Sequence, residues 1–155
     1  MESLKILAHD VDKETRDRIL SEAEGYLSER SEIVFAYAHG SFMQESFFRD
    51  LDIAVFVDHR GSQARTFYEI DLQEELKKRL QVPFPVDVKT LNAAPLFFQF
   101  KAIRGRLLVD RVPAVRVDFC VRVMSRYFDI RPFLLHYMKE AFCDDTGSRA
   151  YPNQT

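Results

Sequence analysis

The hydrophobic pattern of the first third of the chain predicts one helix followed by two strands. Residues 12–30 are rich in helix formers, and Ile19, Ala23 and Leu27 recur at four-residue spacing, which places them on one helical face. Two short runs of β-branched and aromatic residues follow, and we interpret them as strands joined by a loop. These runs are residues 33–38 and 51–57.

The middle of the chain begins with a second pattern that predicts an amphipathic helix. Between residues 63 and 80, large apolar residues fall close to helical spacing among charged residues. Pro83 and Pro85 end this pattern, because proline does not continue a helix. The following residues, 86–88, are predicted to form a third strand.

A third helix and a fourth strand are predicted directly afterwards. Asn92 is the candidate N-cap of a helix over about residues 95–104, and Gly105 is its expected C-terminal stop. Residues 107–109 then form a short apolar strand. The predicted order to this point is helix, strand, strand, helix, strand, helix, strand.

Periodicity does not decide the last third of the chain. Apolar residues alternate from Val115 to Val123 as they would in a strand. The wider stretch to Phe142 is also long enough for two helices broken near Pro132. We expect one domain over residues 1–143 and a polar, frayed tail over residues 144–155.

Composition narrows the function classes. The chain has 155 residues, 46% of them hydrophobic, which is enough to bury a core in a single domain. Its 22 basic and 24 acidic residues nearly balance, so we expect no direct nucleic-acid partner. Cys120 and Cys143 have no metal-ligand spacing and are predicted to be free thiols. We found neither a signal peptide nor a membrane-spanning run and expect a cytoplasmic protein.

Candidate chemistry is concentrated in five residues around the predicted strands. Gly40-Ser41 follows the first strand, Asp50 and Asp52 enter the second, and Asp87 lies inside the third. Side chains alternate across a strand, so Asp50 and Asp52 point to the same side and repel each other unless a cation lies between them. Asp87 stands between two valines and needs a partner for its charge.

These residue types fit magnesium-dependent nucleotidyl transfer. Carboxylate oxygens suit Mg²⁺, and three carboxylates allow one or two ions, which would activate a hydroxyl and stabilise the leaving pyrophosphate. Asp87 is then also the candidate base. Gly40 lets the backbone approach a phosphate closely, and Ser41 adds a hydroxyl and an amide donor. Asp50, Asp52 and Asp87 are the predicted catalytic and metal-binding residues, and Gly40 and Ser41 the predicted nucleotide-binding residues.

The order of these motifs resembles that of the DNA polymerase beta superfamily of nucleotidyltransferases. AYAHGSFMQESFFRDLDIAVFV and FPVDVKTLN match its signature of strand, Gly-Ser, Asp-x-Asp and a third acidic residue. LNAAPLFFQFKAIRGRLLVDR and RYFDIRPFLLHYMKEAF are similar to the downstream segments of the minimal nucleotidyltransferases (MNT), the antitoxins of HEPN/MNT toxin–antitoxin pairs. The resemblance covers residues from about 33 to 142.

This resemblance implies a polymerase-beta-like α/β fold, with a small mixed sheet flanked by helices and with a helical last third. It also implies transfer of AMP from ATP to a tyrosine of a cognate HEPN ribonuclease toxin, with which the protein forms a hetero-oligomer. Many relatives carry a small residue and then an arginine soon after Gly-Ser, where this chain has Phe42, and Arg49 is the candidate replacement cation. Two alternatives follow: an antitoxin that acts by occlusion, or a small-molecule nucleotidyltransferase.

Several other residues have both a functional and an ordinary structural interpretation. His39 is placed to contact a phosphate, but a histidine at a strand end is as often a hydrogen-bonded structural residue. Arg131 and His136 superficially match the ribonuclease motif of the HEPN partner, and coincidence explains them better. Five phenylalanines fit either a partner-binding patch or the core, and three basic residues fit either a phosphate site or a solvated helix end. These are Phe97, Phe98, Phe100, Phe128 and Phe133, and Lys101, Arg104 and Arg106.

Overall fold

A computed structural model describes residues 8–58 and 67–143, with side chains as far as residue 141. The predicted tail at residues 144–155 and the start of the helix predicted over residues 63–80 lie outside the described residues. Within the described ranges the strands are β1 His9–Asp10, β2 Ile33–His39, β3 Phe47–Phe48, β4 Leu51–Val57, β5 Val86–Thr90 and β6 Arg106–Asp110. The helices are α1 Lys13–Ser28, α2 Ser41–Gln44, α3 Tyr68–Leu80, α4 Leu96–Ile103 and α5 Pro113–Cys143.

Four strands form the central mixed sheet in the order β5-β4-β2-β6. β2 is antiparallel to both of its neighbours, and β4 runs parallel to β5. The connection from β4 to the parallel β5 passes through α3, as a parallel pair requires. A separate two-stranded pair, β1 and β3, joins the segment before α1 to the loop after α2.

The sheet separates two hydrophobic clusters. α1 and α3 pack on one face, where Leu27, Ile53 and Leu76 are among the buried side chains. α4 and α5 cover the other face, where Phe35 and Phe119 are buried. The strand residues follow this division by alternation, because successive side chains point to opposite faces.

The first helix on this face, α1, begins at a side-chain cap. The Asp12 side chain accepts a hydrogen bond from the Thr15 amide at 2.7 Å, an N-cap that contributes about 1 kcal/mol.

β5 is an edge strand, and α3 side chains cover its outer backbone. Gln73 accepts a hydrogen bond from the Val88 amide, and Glu69 accepts one from the Thr90 amide. These contacts block pairing with another strand at this edge.

The predicted helix and strand order is confirmed, except that the structure adds the short elements β1, α2 and β3 and gives Asn92 a different role. The loop predicted between the first two strands contains α2 and β3. Asn92 is not the N-cap of α4: its side chain accepts from the Val57 amide at 3.0 Å and donates to the Val57 carbonyl at 2.8 Å. The residue preceding α4 is Pro95, which makes no side-chain cap.

The last third of the chain is a single helix, α5, which continues through Pro132. The alternation of apolar residues between residues 115 and 123 reflects two different helix faces: Phe119 and Val123 are buried, whereas Val117 and Val121 are exposed. None of the described helices is long and apolar enough to cross a membrane.

Candidate active site

Three side chains lie in a row across the neighbouring strands β2, β4 and β5, at one end of these strands. His39 at the end of β2 is paired in register with Asp52 of β4, and Asp52 is paired with Asp87 of β5. Register partners project from the same face of a sheet. This face is the one that α4 and α5 cover. Asp52 and Asp87 remain partly accessible there, whereas His39 is buried.

The electrostatics of Asp52 place a third carboxylate in the same group. Burial, together with the negative charges of Asp50 and Asp87, raises the pKa of Asp52 to about 6. The positive charges of Lys101 and Arg49 oppose this rise. Asp50 and Asp87 are therefore close enough to Asp52 for their charges to act on it, and an added cation would relieve this repulsion.

Gly40 is packed directly against the Asp52 carboxylate. Its φ of 79° lies in the region that favours glycine, and a Cβ atom at this position would overlap Oδ2 of Asp52. The chain turns at Gly40 and enters α2 at Ser41, which is half-buried. The Gly-Ser turn predicted to bind phosphates thus lies beside the carboxylates predicted to bind metal.

Phe42 occupies the position where many relatives place a small residue before an arginine. Its side chain is fully buried and packs against Phe48 and Phe84, with ring centroids 4.7 and 5.9 Å away. The guanidinium of Arg16 lies over Phe42 at 5.2 Å and binds the Glu45 carbonyl, which holds the loop in place. Phe42 is therefore a core residue of this loop.

His39 has unsatisfied hydrogen-bonding capacity. It is only 4% exposed, and neither ring nitrogen has a hydrogen-bond partner among the residues that the structure describes. Phe98 of α4 packs edge-on against the imidazole with ring centroids 5.3 Å apart. Burial lowers the pKa of His39 to about 4, and the nearby Lys101 charge lowers it too. The imidazole is therefore neutral at pH 7 and presents one donor and one acceptor to the site.

Two lysines lie near the carboxylates. Lys101 of α4 acts on Asp52 and His39, and Lys89 of β5 places Nζ 3.8 Å from Oδ1 of Asp87. Lys89 is a residue that our sequence analysis missed. For Lys101 the sequence left open a phosphate site or a solvated helix end, and its charge acts on the site.

The remaining residues considered in the sequence lie elsewhere. Arg104 stacks on Phe100, with the guanidinium carbon 5.5 Å from the ring centroid, and Arg106 pairs with Asp17 at 3.4 Å. His136 pairs with Glu140, one turn further along α5. Phe98 and Phe100 pack against the core, whereas Phe97, Phe128 and Phe133 are more than half exposed. Cys120 is a free thiol, and its Sγ lies 3.5 Å from the Tyr37 hydroxyl.

Comparison with known protein families identifies this arrangement. The family profile described as polymerase beta, nucleotidyltransferase matches residues 21–113, a span that includes Asp50, Asp52 and Asp87. The chain belongs to the polymerase beta nucleotidyltransferase family. No curated protein matches the chain in sequence.

Solved structures of nucleotidyltransferase antitoxins share the fold. A structure of a tri-AMPylated Shewanella oneidensis HEPN toxin with its MNT antitoxin gives a TM-score of 0.56 at 19% identity, covering 81% of this chain and 97% of that chain. A toxin–antitoxin structure with AMP-PNP gives 0.55 at 20% identity, covering 87% and 98%. The MntA-HepT toxin–antitoxin structure gives 0.54 at 18% identity, covering 86% and 97%.

The carboxylate geometry of this nucleotidyltransferase fits an ion that arrives with its substrate. Among residues 8–58 and 67–141, no three histidine, cysteine, aspartate or glutamate side chains lie close enough together to enclose a metal. Mg²⁺ does not need such a cage, because it is commonly bound by one or two carboxylates plus substrate phosphates and water. Asp50, Asp52 and Asp87 supply hard oxygen donors beside the Gly40 turn, so the donor set suits a Mg²⁺–nucleotide complex.

Proposed function

We propose that this protein is a Mg²⁺-dependent antitoxin that transfers AMP from ATP to a tyrosine hydroxyl of a cognate HEPN ribonuclease toxin. The observation that carries the proposal is the in-register pair Asp52 and Asp87, with Gly40 packed against the Asp52 carboxylate. The solved structures of similar fold add support, since one contains an AMPylated HEPN toxin and another contains AMP-PNP.

The nucleotide would bind between the Gly-Ser turn and the carboxylates. The Gly40 backbone and the Ser41 hydroxyl would hold the β and γ phosphates, and Arg49 would add the positive charge missing after Ser41. Mg²⁺ held by Asp50, Asp52 and Asp87 would neutralise the phosphates and promote departure of pyrophosphate. Asp87 would also orient the acceptor hydroxyl and accept its proton.

The exposed surface of α5 supports a protein partner. Large apolar side chains continue along this helix beyond the part that packs on the sheet, and Phe128 and Phe133 are 55% and 76% exposed. Exposed apolar surface of this kind marks protein interaction sites. A HEPN toxin bound to α5 would form a hetero-oligomer with this chain.

The test is incubation of the purified protein with Mg²⁺, ATP and the toxin encoded by its neighbouring gene, followed by intact mass analysis. We expect mass gains in AMP units on the toxin, located on tyrosine by fragmentation. Asp52→Asn should abolish the gain, because it removes a metal-binding charge, whereas Asp71→Asn, at an exposed position of α3 on the other face of the sheet, should retain it. Transfer at the wild-type rate by Asp52→Asn would contradict the metal assignment.

The occlusion alternative is favoured by one observation, the buried Phe42 in place of a phosphate-facing residue. An antitoxin that acts by occlusion would bind and neutralise the toxin without any gain in mass. In that case Asp52→Asn would neutralise as well as the wild-type protein. The same experiment therefore separates the two functions.

A further inference from the structure

A cavity of about 410 Å³ opens beside Asp87, on the side of the site away from Gly40. The Ala93–Pro95 turn and Phe98 supply its apolar wall, and Asp87 and Lys89 lie at its polar edge. Its volume falls within the range of pockets that bind small molecules, about 300–1,000 Å³. No step proposed above uses this cavity.

The other polar side chains that line the cavity, Glu69, Lys89 and Thr90, already have hydrogen-bond or ion-pair partners within the protein. Oε1 of Glu69 accepts hydrogen bonds from the Thr90 amide and hydroxyl at 2.7 and 2.8 Å. Lys89 is paired with Asp87. An occupant of the cavity would therefore be recognised mainly by its apolar surface, with one polar group directed towards Asp87.

The position of the cavity indicates the side from which the acceptor hydroxyl would attack. In the sheet order β5-β4-β2, the cavity borders β5 and the Gly40 turn follows β2, so Asp52 and Asp87 lie between them. In phosphoryl transfer, the attacking and leaving oxygens stand roughly in line on opposite sides of the phosphorus. If pyrophosphate leaves on the Gly40 side, the acceptor approaches from the β5 side, where the cavity lies.

We propose that this cavity receives the phenol ring of the acceptor tyrosine and directs its hydroxyl to Asp87. The proposal rests on the proposed function above. The ring would pack against Phe98 and Pro95, which a serine or threonine acceptor is too small to cover. The phenol oxygen forms a bond to the α-phosphorus of ATP, its proton passes to the Asp87 carboxylate, and pyrophosphate leaves with the electron pair of the broken bond.

Filling the cavity tests the proposal. Ala93 is exposed at the cavity wall, so Ala93→Trp would occupy the space without disturbing the core. Ala114→Trp, at an exposed alanine in the first turn of α5, is the matched control. We expect Ala93→Trp to raise the KM for the toxin at least tenfold while the Kd of AMP-PNP stays unchanged. Ala114→Trp should change neither value.

A binding experiment measures the same cavity without turnover. N-acetyl-tyrosinamide added to the wild-type protein should shift the NMR signals of Ala93 and Ala94, and N-acetyl-alaninamide should not. The shift of the Ala94 signal should disappear in Ala93→Trp, and both shifts should persist in Ala114→Trp. Absence of any shift in the wild-type protein would overturn the proposal.

The outcomes separate this proposal from the proposed function. Tyrosine transfer by Ala93→Trp at the wild-type KM would refute the cavity assignment and leave the function standing. Weaker AMP-PNP binding with an unchanged KM for the toxin would assign the cavity to adenine and also refute the proposal. If the wild-type protein modifies no toxin but N-acetyl-tyrosinamide still shifts Ala93, the function fails while recognition of a phenol stands.

Discussion

Replacing Asp52 by Asn should stabilise the metal-free protein while abolishing its activity. The raised pKa of Asp52 means that the folded state binds a proton more tightly than the unfolded chain. The free energy of unfolding therefore falls as pH rises from the ordinary pKa of 3.8 to the folded value of about 6. Asparagine carries no titrating charge, so the free energy of unfolding of the variant does not fall in this way. Above about pH 6 the variant is therefore more stable than the wild-type protein.

The size of the effect follows from the pKa. A rise from 3.8 to about 6 corresponds to about 3 kcal/mol at 1.36 kcal/mol per pKa unit. Asp52 is half-buried, and solvent screening reduces this to about 1 kcal/mol. A 1 kcal/mol gain should raise the melting temperature of a chain of this size by about 2–4 °C.

The assay is urea denaturation with EDTA at pH 4 and pH 7.5, for wild type, Asp52→Asn and the exposed control Asp129→Asn. Asp52→Asn should exceed wild type at pH 7.5 and approach it at pH 4. Saturating Mg²⁺ with AMP-PNP should reverse the order at pH 7.5, since binding at 100 times the Kd stabilises wild type by about 2.7 kcal/mol. A variant that is no more stable than wild type in EDTA at pH 7.5 would refute the repulsion argument.

Three further predictions address the turn, the loop and the partner surface. Gly40→Ala should lower the free energy of unfolding by about 1–3 kcal/mol in urea denaturation and abolish transfer, because a Cβ overlaps the Asp52 carboxylate. Gly25→Ala is the control and should not destabilise the protein, because its Cβ would have open space around it. Asn92→Ala should cost about 1–3 kcal/mol in the same assay, because the backbone of Val57 loses both partners, and an unchanged stability would contradict this role. Phe128→Glu should weaken toxin binding at least tenfold by calorimetry with unchanged stability, and wild-type affinity would exclude this part of α5 from the interface.

The parts of the fold that could be predicted from sequence are those with a long and regular pattern. The face formed by Ile19, Ala23 and Leu27 is buried as expected, because a helix with one apolar face must pack it against the sheet. The strands beginning at Ile33 and Leu51 were also found, because β-branched and aromatic runs fit a buried sheet. The family resemblance implied a shared site for Asp52 and Asp87, and the structure pairs the two residues in register on neighbouring strands.

The features that sequence reasoning missed depend on long-range contacts or on too few residues. β1 and β3 have two residues each, which is too short for any periodicity to appear. Asn92 has the composition of a cap, but its side chain instead binds a strand that lies far away in sequence. Lys89 is an exception, because it lies two residues after Asp87 on β5, and strand alternation alone places both side chains on one face.

Pro132 shows why a helix-breaking residue does not always end a helix. Proline removes one intrahelical hydrogen bond and crowds the carbonyl four residues earlier, here that of Phe128. Both residues are exposed on α5, so water can satisfy that carbonyl, and the cost of a buried unpaired group does not arise. The apolar side chains beyond Pro132 have little of this chain to pack against, so the outer turns gain little from burial within the monomer. A partner that covers Phe128 and Phe133 would supply this missing burial, and its binding should therefore protect the amides after Pro132 from hydrogen exchange.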